Sequence, residues 1–323
     1  MTLSHRQRNI LVGRIKDAFE GLFRDELKLD LVSGPLFLST ETGLNDELNG
    51  IERPVSFETK DGQHLEIVQS LAKWKRRALY NMEYPRGEGL VTRMKAVRRD
   101  EDLDATHSFY VVQWDWEKVI QASDRSKSFL VSVASQIYGC LLKTRDAIAP
   151  MYTSMMGKEP LQMAPNLFFI TTQELHDTYP SLTPKERERE ICKEYGAVFL
   201  MKIGGTLADG SMHDGRASDY DDWNLNGDIL VWNPVLDNCL ELSSMGIRVD
   251  AASLKAQMMA RGEDKRFEYH QAILADTYPL TIGGGIGQDR VTMYLAQLPH
   301  VGQVQVSSWG TCVSEEETKE FFT

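Results

Sequence analysis

Apolar residues recur at helical spacing early in the chain, where Leu11, Ile15, Ala18, Phe19, Leu22 and Phe23 fall on one stripe. That spacing predicts a long amphipathic first helix. The run LDLVSGPLFLST after it has strand composition with Gly34-Pro35 inside, which predicts an edge strand or a break. Such a strand beside an amphipathic helix is either simple packing or a dimer surface. Alternation on either side of Asp61-Gly62, with Val55 and Phe57 before it and Leu65 and Ile67 after it, predicts a hairpin. QSLAKWKRRALY reads as a helix with Ser70 as its N-cap. GEGLVTRMKAVRRDEDLDATHSFYVVQWDWE reads as two strands around an acidic loop. Alternation in the second places Phe109, Val111, Gln113 and Asp115 on one face and Tyr110, Val112 and Trp114 on the other.

Further on, Leu130, Val133, Ala134, Ile137, Tyr138 and Leu141 give a helix with a core face. NLFFIT is a buried-type strand, Thr183-Pro184 opens a helix that Gly196 closes, and AVFLMKI is the next central strand. DILVWN and NCLELSSMGIRV are strands, with Glu241 and Ser243 alternating onto one face and a bulge or bend expected at Met245-Gly246. Ala251 to Asp276 is helical in pattern. Finally, YPLTIGGGIGQDRVTMYLAQL reads as strand, tight glycine turn and helix, with Arg290 in the first helical turn.

Composition narrows the class. The chain has 323 residues, a formal charge of −11 and a pI of about 5.2. It can bury a sizeable core, and without repeats or linker-like tracts residues 1–323 are expected to form one domain. Its acidity points to small molecules and proteins as partners and away from nucleic acid. Cys140, Cys192, Cys239 and Cys312 show no metal spacing and read as reduced thiols of a cytoplasmic protein. The charged N-terminal segment is neither a signal peptide nor a membrane span.

Candidate chemistry begins at the glycine cluster, because a glycine-rich turn into a helix bearing an arginine suits an anion. Gly287 is followed by Gln288, Asp289 and Arg290, which excludes a P-loop, and the spacing excludes a dinucleotide fingerprint. Lys73, Lys75, Arg76 and Arg77 are either a solvated cationic face or an anion anchor. Gln113 and Asp115 point together, as a pocket wall or as a strand end leaving the core. The stretch from Ile203 to Asp228 is acidic and is expected to be a flexible loop. Its carboxylates are either solvated or hold Mg2+ or an amine, and its His213-Asp214 pair has no evident nucleophile. Glu241 and Arg248 are either an internal ion pair or face a ligand. Asp46, in the polar segment 41–50, is a candidate contact in a mobile loop.

Collected, these features resemble the three-motif core of class II aminoacyl-tRNA synthetases. Leu31 to Leu36 resembles the first motif, Arg98 to Asp115 the second and Gly283 to Arg290 the third. QSLAKWKR, Gln113-Trp114-Asp115 and the Glu241/Arg248 spacing resemble aspartyl-tRNA synthetases in particular. More narrowly, SLAKWKR, GEGL, QWDWE, DYDDW, LNGDILVWNP, ELSSMGIRVD and TIGGGIGQDR, spread over nearly the whole chain, resemble the ammonia-dependent asparagine synthetases, the aspartate–ammonia ligases.

The resemblance implies an α+β fold, a class II synthetase-like antiparallel sheet flanked by helices. It implies a cytoplasmic homodimer that uses L-aspartate, ATP, Mg2+ and ammonia. By the same resemblance Arg98 holds the α-phosphate and Arg290 the phosphate tail or adenine, with Gly285 beside the nucleotide. Lys75 and Arg248 hold aspartate's carboxylates, while Gln113, Asp115, Asp221 and Ser244 bind its polar groups. Asp228 and Glu241 serve ATP or Mg2+, and Asp46 positions or deprotonates ammonium. An aspartyl-tRNA synthetase-like enzyme and a non-catalytic paralogue are the alternatives.

Overall fold

The computed structural model describes residues 3–46, 48, 52–309, 313, 314, 318, 319 and 321. Cys312, and Glu47, Asn49 and Gly50 of the polar segment, lie outside the described residues. Helix α1 (His5–Leu27) opens on a capping box between Ser4 and Gln7. The strand-like run after it does break at Gly34-Pro35, giving β1 (Leu29–Leu31) and β2 (Phe37–Ser39), which join different sheets. The break is tight: a Cβ at Gly34 would lie 2.8 Å from Thr92 Oγ1. The predicted hairpin forms as β3 (Ser56–Glu58) and β4 (His64–Ile67), and β2 pairs with its second strand. Helix α2 (Ala72–Asn81) starts one residue later than expected, with Leu71 at the N-cap, and Ser70 Oγ accepts from Ala72 N–H at 3.2 Å.

β5 (Gly89–Val97) and β6 (Tyr110–Val119) follow as an antiparallel pair. The remaining elements are α3 (Lys127–Met156), β7 (Phe168–Thr171), α4 (Thr172–Thr178), α5 (Pro184–Tyr195) and β8 (Ala197–Met201). After them come β9 (Asp221–Asn233), β10 (Asn238–Arg248), α6 (Ala251–Arg261), α7 (Glu268–Leu274), β11 (Thr281–Gly287) and α8 (Gln288–Leu295). Helix α5 has the Thr183 N-cap, N1 proline and Gly196 C-cap read from its sequence.

The main sheet has the order β1-β5-β6-β11-β10-β9-β8-β7. Its six inner strands are antiparallel, while β1 on β5 and β7 on β8 are parallel, so the expected antiparallel sheet is edged by two parallel pairs. Alternation decides what each face carries. Trp114 and Trp116 of β6 point into a core with Phe19 and Phe23 of α1, Ile137 of α3 and Met293 of α8. The opposite face is covered at one end by α2 and at the other by α4 and α5.

Phe19 anchors the α1 layer. It is fully buried, with its ring centroid 4.6 Å from that of Trp114, whose indole N–H donates to Glu20 at 3.1 Å. Phe19→Ala is expected to lower the unfolding free energy by about 3–5 kcal/mol, read from urea denaturation.

Candidate active site

Between α2 and α5 the centre of the sheet is uncovered, and a cavity of about 410 Å³ lies there over β6, β11 and β10. Its floor depends on β11. The glycines Gly283, Gly284, Gly285 and Gly287 were expected in a tight turn; they lie inside the strand instead, none with a left-handed φ. Their contribution is space. A Cβ at Gly283 would sit 2.0 Å from Glu117 Oε2, and one at Gly285 2.4 Å from Gln113 Oε1. Because β11 carries no side chains there, long polar side chains of β6 lean across it.

Those side chains form a buried charge network. Arg248 donates through Nε and Nη2 to Glu117, at 2.9 Å and 2.7 Å, and through Nη1 to Asp221. Lys75 is bonded to Asp115, donates to the Gly284 carbonyl at 3.2 Å and lies 3.9 Å from Glu117. Thr281 Oγ1 donates to Glu117 at 2.6 Å. Burial would raise the Glu117 pKa, but Arg248 and Lys75 outweigh it and hold the carboxyl below its ordinary value. Burial pushes Asp221 up despite Arg248 and Arg216, and pushes Lys75 down despite its acidic partners. Three carboxylates against two cations leave this end of the cavity suited to an ammonium as well as to a carboxylate.

The other end is lined by cations from four elements: Arg98 after β5, Lys185 of α5, Arg216 before β9 and Arg290 of α8. Arg290 donates to the carbonyls of Thr106, at 3.3 Å, and Glu241, at 3.2 Å. Burial would raise the Glu241 pKa, but Arg290, Lys185, Arg216 and Arg98 together hold it below the ordinary value. The Nε groups of Arg98 and Arg216 are buried with no partner among the described residues. Arg98 faces the cavity whereas Arg99 is exposed outside it, so the strand end aims only the first of the two inward.

The cavity brings together Asp46, Lys75, Arg98, Gln113, Asp115, Asp221, Glu241, Ser244, Arg248, Gly285 and Arg290. Asp228 is placed behind the wall, 2.5 Å from Arg216, where burial raises its pKa to about 7. Glu241 does not pair with Arg248; its nearest cation is Arg290 Nη1 at 4.0 Å. Ser244, not Ser243, shares the face of Glu241, because a bulge between Glu241 and Ser243 resets the alternation, and a second irregularity falls between Gly246 and Arg248. The acidic stretch is a solvated loop only in its first half, where Asp209 and Asp214 are exposed. It ends where β9 begins at Asp221, and Asp219, Asp221, Asp222 and Asp228 are buried. His213 bonds Glu188 at 2.9 Å in place of Asp214. Lys73, Lys75 and Arg76 are buried, so the cationic cluster is not a solvated face. The polar segment is tethered at Leu44, which packs with Val249, Leu254 and Tyr269.

Glu117 escaped the sequence reading although it continues the Gln113/Asp115 alternation by one step; three polar residues on one strand face were the available signal. Arg216, Lys185 and Asp219 carried no comparable signal, since a loop (Arg216, Asp219) and the first turn of α5 (Lys185) bring them in through tertiary packing.

A six-stranded antiparallel core, an arginine after the second-motif strand and a glycine strand running into an arginine-bearing helix define a class II aminoacyl-tRNA synthetase-like fold. An asparaginyl-tRNA synthetase from Entamoeba histolytica, in complex with asparaginyl-adenylate, superposes with a TM-score of 0.68 at 12% identity over 93% of this chain and 66% of that one. One from Pyrococcus horikoshii, also complexed with asparaginyl-adenylate, gives 0.64 at 14% identity over 92% and 68%. At these identities the likeness is one of fold. Within it, the chain belongs to the aspartate–ammonia ligase family, whose model matches residues 6–321. An aspartate–ammonia ligase from Bacillus cytotoxicus is 51% identical over 98% of this chain and 96% of its own length, and one from Bacillus cereus is 50% identical over the same shares.

Gly283→Ala is expected to cost about 1–3 kcal/mol and to weaken aspartate binding, because Glu117 must move and Arg248 with it. Gly287→Ala, whose Cβ would meet nothing nearer than 3.5 Å, should stay within about 1 kcal/mol of the parent. Denaturation and aspartate titration on both variants check the contrast.

Proposed function

We propose that this chain converts L-aspartate, ammonia and ATP to L-asparagine, AMP and pyrophosphate through a β-aspartyl-adenylate. The observation that carries the reading is one cavity joining a mixed-charge amino-acid end to a cationic end, in a chain that shares half its residues with aspartate–ammonia ligases. A carboxylate has no leaving group an amine can displace, so it must first be activated. The β-carboxylate attacks the α-phosphorus, pyrophosphate departs, and ammonia then attacks the acyl carbon and expels AMP.

Lys75 and Arg248 receive the substrate carboxylates, and Asp115, Gln113, Asp221 and Ser244 orient its amine and polar groups. Arg98 bears on the α-phosphate and Arg290 on the phosphate tail or adenine, since a planar guanidinium suits both tasks. The side-chain-free surface at Gly285 lets the nucleotide lie close to the sheet. Among the described residues no group of three or more His, Cys, Asp or Glu could hold a metal ion. Mg2+ needs only one or two carboxylates besides phosphates, and Glu241, charged and in the cavity, fits it; when bound it would neutralise phosphate charge. Asp228, engaged by Arg216, would reach it only by exchanging that partner. Asp46, which lines the cavity, would take a proton from ammonium.

We read the protein as a single catalytic domain spanning the chain, and as a cytoplasmic homodimer acting without nucleic acid. No helix among the described residues is long and apolar enough to cross a membrane, and exposed Leu31, Leu36 and Phe37 by the β1 edge are the candidate dimer surface.

Incubation with aspartate and ATP should release AMP and asparagine with ammonium, much less with glutamine, and without any need for tRNA. Arg98→Ala and Arg290→Ala should each lower kcat/KM by about 10²–10³. Full activity in Arg290→Ala, or aspartate transfer to tRNA in place of asparagine release, would overturn the reading.

A further inference from the structure

Behind Asp46 lies a buried polar chain that the adenylation chemistry does not use. Asp219, on the segment before β9, is 1% exposed at the centre of it. Lys73 Nζ of α2 reaches its Oδ2 at 3.2 Å, and His270 Nε2 of α7 reaches the same oxygen at 2.9 Å. A carboxylate accepts only, so His270 carries its proton on Nε2. Tyr269 of α7 donates to the Asp219 carbonyl at 3.1 Å, and Lys265 Nζ stands 3.9 Å from Oδ2. Burial would raise the Asp219 pKa, but Lys73, His270 and Lys265 hold it well below the ordinary carboxylate range. Lys73, Asp219, Tyr269 and His270 are all buried, and Lys265 is partly exposed.

Asp46 faces this chain. Leu48 N–H donates to its Oδ1 at 3.0 Å, and its own N–H donates to Asn45 Oδ1 at 3.1 Å. The groups acting on its carboxyl are Lys73 and Ser70 at the start of α2 and Asp219 before β9, while the carboxyl in turn acts on Tyr220. Burial raises its pKa to about 6, with Lys73 pulling down and Asp219 pushing up. A buried carboxyl therefore sits in the cavity under the opposed influence of a cation and an anion that are themselves ion-paired, and α7 holds the anion through Tyr269 and His270.

We propose that Lys73 and Asp219, anchored by His270, are positioning residues that set the basicity of Asp46 for the ammonia step. The inference rests on the ligase reading above. Ammonium has no lone pair. One of its protons passes to an Asp46 carboxylate oxygen, and the freed pair attacks the β-acyl carbon. The acyl–phosphate C–O bond breaks to release AMP, and the new amide nitrogen passes its remaining extra proton to the departing phosphate oxygen. Too weak a base leaves ammonium protonated; too strong a base is itself protonated near neutral pH.

The test uses Lys73→Met and Asp219→Asn in the full chain, following kcat/KM for ammonium against pH and aspartate-dependent ATP–pyrophosphate exchange on the same samples. Loss of the cation should move the acid limb up by on the order of one pH unit, and loss of the anion should move it down by a similar amount. Exchange should stay close to wild type in both, which also reports that the variants fold. With hydroxylamine, which is largely unprotonated near neutrality, neither limb should move. Shifts of the same sign, no shift with exchange intact, or equal shifts with hydroxylamine would overturn the proposal. If Lys73→Met fails to exchange, Lys73→Arg, which keeps the cation, must return the limb to its wild-type position, and a displaced limb there overturns it too. A wild-type protein that exchanges but makes neither asparagine nor hydroxamate would count against the ligase reading instead.

Discussion

Everything in the cavity depends on burying five charged side chains side by side: Lys75, Asp115, Glu117, Asp221 and Arg248. Removing such groups from water costs several kcal/mol each unless the geometry returns it. Here it does, because Arg248 is held by carboxylates on two sides and Lys75 by a carboxylate and a carbonyl. That geometry requires β6 and β10 to share the space over β11, which a side chain on Gly283 would fill. Gly283 of TIGGGIG is therefore a packing requirement of the charges beside it, whereas Gly284, Gly285 and Gly287 line the cavity directly.

The two ends of the cavity use charge differently. At the mixed-charge end Lys75 and Arg248 are already paired inside the protein. At the cationic end Arg98 and Arg216 each keep a buried Nε without an acceptor among the described residues, and a multiply charged anion is what such groups can accept at little reorganisation cost.

Most of the fold was legible. Helix caps, the hairpin around Asp61-Gly62 and the two-faced pattern of β6 follow from local rules. The errors arose where tertiary contacts overrule them. The acidic stretch looks solvated until Lys73, Arg125, Arg216 and His270 supply partners from distant segments. The glycine cluster looks like a turn until β6 and β10 are seen on either side of it. Eleven of the candidate site residues line one cavity because most lie on strands, where alternation is readable. Asp228 also lies on a strand, but its Arg216 partner comes from a loop whose path no local pattern fixes.

The bulge in β10 between Glu241 and Ser243 has a bearing on how such a chain can vary. Leu240 before it and Leu242 within it belong to the helix-covered core, as do Met245 and Ile247 after it. One extra residue thus keeps Glu241 on the same side as Ser244 and Arg248. Losing that residue would send Ser244 and Arg248 into the hydrophobic layer together, since a shift of one inverts every position beyond it. The length of β10 is thereby tied to the placement of its polar face, a constraint that the β9–β10 turn does not share.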